Sequence, residues 1–597
     1  MCGFIVIADY KKQVEDISKL KSMTRLLKYR GPDEEGYSYQ DHCFMSHRRL
    51  TTLDTHTGQQ PFSYKYNGKL YRIVYQGTLY NMIDIKNKLL SLGYTMSSTS
   101  DSEIILKSYL AFQEKCLDEL EGAFAFVIDD GEKLFIARDQ LGVKPLYYMQ
   151  VNTTLIIASE IKCLLAYQEK AIVDKTGIQE LLGLGPSMTP GRTIYKNIYS
   201  LRPAHYMTFD NDINIKRYWK LKVKKHTDTY AQSVQKVREL VIESIQKQLL
   251  SDVPVSTMLS GGLDSSIITA IASQYNHHLT TYSVTYEDQK KYFHSYDYQT
   301  TMDDDYINEM TQRYQADHHQ VTLRQSQLID ALKESMIARD MPGMADIDSS
   351  FLLFAKEISR THKVCLSGEC ADEIFGGYPW FYKEELYTLP YFPWMRDFDK
   401  KNELFNEKIK ALHLKDYIIK HYQESLQEID TVDQTQQLIY LNIEWFMQTL
   451  LTRADSQTMR SSLEIRVPFA STKILQYLFN TPHEYMFHNN EEKGLLRDAF
   501  EPFLPQEIAH RKKNPYPKTH SPIYTNMIYK KLKESLKDPS NILYSFFDKN
   551  KLHEFVESRG QSFEYPWFGQ LMMGPQLMAY FYQMYLWGKI YHIELEL

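Results

Sequence analysis

One stretch limits the fold of this chain more than any other. The apolar run at 253–259 ends in Ser260-Gly261-Gly262-Leu263-Asp264-Ser265-Ser266, and the apolar-periodic segment 267–272 follows at once. A short run, a Gly-rich turn and a helical pattern, in that order, is how a parallel sheet presents backbone N–H groups to phosphate. The glycines let the chain approach an anion closely, and the flanking hydroxyls add donors. Asp264 would repel phosphate unless a metal bridged the two, so the turn implies Mg²⁺. An ordinary glycine-containing turn leaves the aspartate and the serines unexplained.

The same alternation extends on both sides. Strand-like runs at 253–259, 280–285 and 363–366 alternate with helical patterns at 267–275 and 306–316, which predicts a doubly wound parallel sheet. Ligands of such sheets bind beyond the carboxyl ends of the strands, where Ser260 and Ser367 fall. Val234, Val237, Val241, Ile245 and Leu249 recur at helical spacing and open this half, after a polar linker at 222–229. Beyond about residue 380 the chain reads as helical and aromatic-rich. Upstream, short strands are expected at 3–8, 70–75, 123–129, 133–138 and 154–159, with helices at 84–92 and 102–112. The expected division is 2–212 and 225–597.

Bulk properties narrow the class. At 597 residues the chain exceeds one core, and 43% hydrophobic with 24% charged residues suits a globular protein. A formal charge of −6 without a long basic run argues against nucleic acid as a partner. No apolar run reaches the ~18 residues that span a bilayer, and the apolar 4–8 segment is too short for a signal peptide. Six scattered cysteines without CxxC pairs fit a reducing, cytoplasmic setting and no structural zinc.

A second strong signal is Cys365-Leu366-Ser367-Gly368-Glu369-Cys370-Ala371-Asp372-Glu373-Ile374-Phe375-Gly376-Gly377-Tyr378. Three carboxylates within five residues of a strand end are costly to bury unless they meet cations or do chemistry. Arg453-Ala454-Asp455, SLEIRVPF from Ser462 and Lys493-Gly494-Leu495-Leu496-Arg497 follow, with RKKNPYPKTH from Arg511. The SGGLDSS loop resembles that of the ATP pyrophosphatases and lacks the GK[ST] of a Walker A loop, so the products implied are AMP and pyrophosphate. Taken together, the motifs resemble the glutamine-dependent asparagine synthetases over nearly the whole chain. That resemblance implies an ATP-binding set of Leu259, Ser260, Gly261, Gly262, Asp264, Ser265, Val284, Ser367 and Gly368. It further implies Glu369 as the acid/base carboxylate, Lys493 as the lysine neutralising phosphate charge, and Asp264 with Asp372 as Mg²⁺ ligands. Aspartate, ATP and glutamine or ammonia would be the small-molecule partners, and a homodimer is compatible with it.

At the other end stands Cys2. Removal of Met1 would leave a terminal thiol with its own α-amino group as proton acceptor. Alone, a buried structural cysteine explains it as well. Arg30-Gly31-Pro32-Asp33, His47-Arg48-Arg49-Leu50, Ser100-Asp101-Ser102-Glu103 and Arg138-Asp139-Gln140-Leu141-Gly142 follow in order. Together they resemble the class II glutamine amidotransferase domain, an N-terminal-nucleophile αββα sandwich. By that likeness Arg49 holds the glutamine α-carboxylate and Asp101 its α-ammonium. Where the family writes Asn-Gly-Glu, this chain writes Gln76-Gly77-Thr78. Gln76 lengthens the oxyanion-hole amide by a methylene, and Thr78 removes a carboxylate from the ammonium site. Losing one oxyanion donor costs about 3–4 kcal/mol, so an impaired glutaminase, or one with altered donor preference, is expected.

Two other functions share parts of this pattern. One is an ATP-dependent amidotransferase acting on another carboxylate, and the other is a non-catalytic nucleotide- or glutamine-binding regulator. Asp346 and Asp348 stand before Phe351 either as helix-capping residues or as part of an acceptor pocket.

Overall fold

The computed structural model describes residues 2–293, 301–569 and 572–597. Two antiparallel sheets of six strands form the first half. One runs, edge to edge, Tyr199–Ser200, Tyr147–Val151, Thr154–Ala158, Cys2–Ala8, Cys43–Arg49, Glu34–Gln40. The other runs Ile213–Arg217, His205–Phe209, Leu134–Arg138, Gly122–Asp129, Lys69–Leu79, Phe62–Tyr66.

Side-chain alternation explains why the sheets stack. Phe4, Val6 and Met45 of the first sheet meet Val74, Val127 and Ile136 of the second in one buried layer. Ile5 and Ile7 point the opposite way and pack in one core with Leu20, Met23 and Leu164 of the helices Ile17–Arg25 and Ile161–Gln168. On the far face Ile73, Phe126 and Phe135 pack with Ile85, Leu89, Ile105 and Tyr109 of the helices Met82–Ser91 and Asp101–Phe112. Helix, sheet, sheet, helix is the sandwich expected from the resemblance.

The second half holds a five-stranded sheet in the order Asp317–Leu323, Thr280–Tyr286, Val255–Met258, Val364–Leu366, Glu464–Arg466, with every neighbouring pair parallel. The strand order reverses between Val255–Met258 and Val364–Leu366, the crevice where such sheets bind ligands. Helix Leu263–Tyr275 begins inside the SGGLDSS turn, four residues before its apolar-periodic part.

Several features lie outside the sequence reading. Strand Ile213–Arg217 extends the second sheet past residue 212. The strand expected at 70–75 continues to Leu79 and so includes Gln76-Gly77-Thr78. Strand Glu594–Glu596 returns to pair with Ile172–Asp174 in the first half. The 222–229 linker has no regular structure but is tied down where Lys222 N donates to Gln476 Oε1 at 2.9 Å. No helix of the described residues is long and apolar enough to cross a membrane.

Candidate active sites

A cavity of about 260 Å³ opens at the crevice of the parallel sheet. Leu259, Ser260, Gly262, Asp264 and Ser265 line it from the first strand end, Ser367, Gly368, Glu369 and Asp372 from the second, and Val284 from the neighbouring strand. Gly261 shapes the turn from behind. Its φ is +67°, and a Cβ there would stand 2.6 Å from Tyr306 Cβ, so only glycine suits the position. Gly368 passes Asp264 so closely that an added Cβ would lie 3.0 Å from Asp264 Cβ. The two acidic turns are thus held face to face by residues without side chains.

Lys493 stands between them. Its Nζ lies 2.6 Å from Asp264 Oδ2 and 2.5 Å from Asp372 Oδ1, with 3% of its side chain exposed. Burial alone would drive its proton off, but the two carboxylates hold its pKa up at about 12. Burial likewise raises Asp264, against the pull of Lys493. Asp372 also opposes burial, yet Lys493 and Lys513 together keep it well below the usual carboxylate range. The ammonium marks a place where a cation sits between two hard oxygen donors. Two carboxylates completed by phosphate oxygens are the usual protein share of a Mg²⁺ site, so these residues fit that ion.

Glu369 faces the same cavity and pairs with Arg453 at 2.5 Å, while its Oε2 is buried without a partner among the described residues. Arg511 braces the loop opposite: it donates to the Ser260 carbonyl at 3.2 Å and pairs with Asp303 at 2.6 Å. The sequence reading assigned no role to Arg453, Arg511 or Lys513. Arg511 and Lys513 stand in the basic string RKKNPYPKTH and Arg453 in Arg453-Ala454-Asp455, and only folding brings them opposite the acidic turn. Asp348, in the first turn of the helix Asp346–Ile358, accepts from Met344 N at 3.0 Å, upstream of the N-cap Ala345, which has no side-chain cap. Asp346 accepts from Gln576 at 3.4 Å and burial pushes it up to about 7.

The second set gathers around Cys2, opposite Arg49 in the register of two adjacent strands. Cys2, Arg49, Gln76, Thr78 and Asp101 are all buried. Burial pushes the Cys2 thiol above its ordinary range, opposed by the Leu50 N–H and the Arg49 guanidinium, and Glu464 adds to the rise. Arg49 donates to Glu34 at 3.0 Å and to the carbonyls of Leu53, at 3.1 Å, and Asp54. Asp101 Oδ2 accepts from Tyr75 Oη at 2.9 Å and Leu79 N at 3.0 Å; its Oδ1 is buried without a partner among the described residues. Gly77 has a φ of +143°, and a Cβ there would meet the Ala123 carbonyl at 2.0 Å. Gln76 Nε2 donates to the Pro145 carbonyl at 2.5 Å. Met1 lies outside the described residues, so the state of the terminus is not part of this geometry.

One carboxylate here comes from the other half of the chain. Glu464 Oε1 accepts from Thr78 Oγ1 at 2.9 Å and Arg466 Nε at 2.7 Å, and Oε2 accepts from Thr52 Oγ1 at 2.7 Å. Burial would raise its pKa, but Arg466 and Lys144 hold it below the usual range. Arg30 crosses the same boundary to Asp455 at 2.7 Å.

Comparison with known proteins matches both halves of the chain. The family described as Asparagine synthase matches residues 236–587, and the Glutamine amidotransferase domain matches residues 1–219. "Asparagine synthetase [glutamine-hydrolyzing] 3" of Bacillus subtilis is 44% identical, with 100% of both chains covered. "Asparagine synthetase [glutamine-hydrolyzing] 1" of the same organism is 30% identical, over 87% of each chain. "Asparagine synthetase B [glutamine-hydrolyzing]" of Escherichia coli is 27% identical, over 86% of this chain and 82% of the other. A cavity at the crevice of the parallel sheet, a buried thiol in the other half, two matching family models and a relative 44% identical over the full length lead to one statement: this chain belongs to the asparagine synthase family.

Proposed function

We propose that the protein converts L-aspartate, ATP and a nitrogen donor into L-asparagine, AMP and pyrophosphate. The side-chain carboxylate of aspartate attacks the α-phosphorus and pyrophosphate leaves. Ammonia then attacks the activated carbonyl, AMP leaves, and a proton is lost. The observation that carries this reading is Lys493, held between Asp264 and Asp372 on the wall of a cavity that also contains Glu369. Its cation offsets repulsion between an attacking carboxylate and the nucleotide. Glu369 is the base for the attacking nitrogen, and Arg453 orients it. Asp264 and Asp372 would hold Mg²⁺, which would supply positive charge to offset that of the phosphates.

Glutamine is the proposed source of ammonia, through the Cys2 thiol with Met1 removed and the α-amine as proton acceptor. Hydrolysis is expected to be slow, because the Gln76 amide already donates to Pro145. The six free cysteines support a cytoplasmic enzyme. Product analysis with labelled aspartate, ATP and each donor tests the reading. Stoichiometric asparagine, AMP and pyrophosphate are expected; ADP with phosphate, or pyrophosphate exchange only with some other carboxylic acid, would refute it.

A further inference from the structure

We propose that Glu464, carried by the second half of the chain, is a carboxylate of the glutamine α-ammonium pocket in the first half, working beside Asp101. This assignment rests on the glutaminase reading above and names a specificity-determining residue for it.

An α-amino acid presents two opposite charges on one carbon, so its pocket needs a cation for the carboxylate and anionic oxygens for the ammonium. Arg49 is the cation, on the strand beside Cys2. On the anionic side stand two buried carboxylates. Asp101 has one oxygen satisfied by Tyr75 and Leu79 and the other buried without a partner among the described residues. Glu464 accepts from the hydroxyls of Thr78 and Thr52 and from Arg466, and Thr78 is the chain neighbour of Leu79, whose N–H binds Asp101. Each of the two carboxylates raises the tendency of its surroundings to hold a proton: the Glu464 charge raises both Asp101 and the Cys2 thiol, and Tyr75 feels both acids. A substrate ammonium placed between them would relieve that repulsion. Thr78 is then the residue that positions the carboxylate, and its hydroxyl needs a hydrogen-bond acceptor, which Glu464 provides. A consequence is that the ammonium pocket is complete only while the two halves are docked.

The test uses the full chain without ATP, measuring hydrolysis of glutamine and of glutaramate, which is glutamine without its α-amino group. In Glu464→Gln, KM for glutamine is expected to rise about tenfold or more while glutaramate is little changed, so the preference for the amino-bearing substrate collapses. The exchange variant Thr78→Glu/Glu464→Thr, which returns a carboxylate from the neighbouring strand, is expected to regain most of that preference. A preference within twofold of the parent in Glu464→Gln, or equal losses on both substrates, overturns the assignment and leaves Glu464 as a clasp between halves. Should Glu464→Gln fail to fold, the exchange variant decides: retained preference supports the assignment, and lost preference overturns it. Absence of any glutamate release by the parent overturns the glutaminase reading and this assignment with it, whereas release with unchanged discrimination overturns this assignment alone.

Discussion

Asp101 has a pKa that burial pushes up to about 6, with Glu464 contributing. Only its charged form binds an ammonium. As pH falls through 6 the carboxyl takes up a proton, so kcat/KM for glutamine should drop, approaching tenfold per pH unit below that point. Above pH 7 the group is fully ionised and this limb is flat. A glutaminase pH profile checks it, and an acid limb that persists in Asp101→Asn would assign the ionisation elsewhere. Gln76 invites the opposite kind of experiment. Shortening it to asparagine withdraws the amide from the Pro145 carbonyl, and kcat for glutamine hydrolysis should rise, by up to about 10²-fold if the freed donor reaches the oxyanion. An unchanged rate of glutamate release would mean that this amide does not limit hydrolysis. These residues also mark how far the sequence could be read. Cys2, Arg49, Asp101, Lys493 and the acidic turn stand in contiguous motifs, so the sequence could single them out. Glu464, Arg453 and Lys513 act across 84 to 412 residues of chain, and no local pattern records a contact of that separation.

Among the secondary elements, those with strong periodicity were legible and those at sheet edges were not. The central strand Val255–Met258 and the helix Leu263–Tyr275 bury nearly everything they carry, and an apolar run betrays them. Glu34–Gln40 and Asp317–Leu323 are polar and largely solvent-facing, paired on one side only, so their sequences read as loops. Glu464–Arg466 is three residues long, too short for any period. Yet that strand joins the two candidate sites: Glu464 accepts from Thr78 of the first half, and the Arg466 carbonyl accepts from Ser367 N of the acidic turn at 2.9 Å. The Gly-rich turn carries its own prediction. Gly261→Ala forces a side chain into the left-handed region and against Tyr306, displacing the backbone amides of the turn. ATP–pyrophosphate exchange should fall by about 10²-fold, with far-UV circular dichroism unchanged. Exchange at the parental rate would show that this turn does not grip phosphate.

Across the whole molecule, the two halves are fixed by charge as much as by apolar contact. Arg30, 1% exposed, meets Asp455, 5% exposed, with Glu160 at 3.3 Å on the same guanidinium and Lys144 at 3.9 Å from the same aspartate. Lys162 and Asp340 form a second pair across the boundary at 3.3 Å, and the strand pairing of Ile172–Asp174 with Glu594–Glu596 adds a third tie. Asp455→Ala should lower stability by about 3–5 kcal/mol, because it leaves Arg30 buried and short of a partner. Denaturant titration of the first unfolding transition measures this; an extrapolated free-energy loss under a tenth of that size would mean that water reaches Arg30. The same geometry limits how the molecule can move. Rocking one half against the other, as a hinged jaw would, must first strand a guanidinium in a dry seam. Rocking of the halves is therefore disfavoured, and crosslinking them should leave turnover intact.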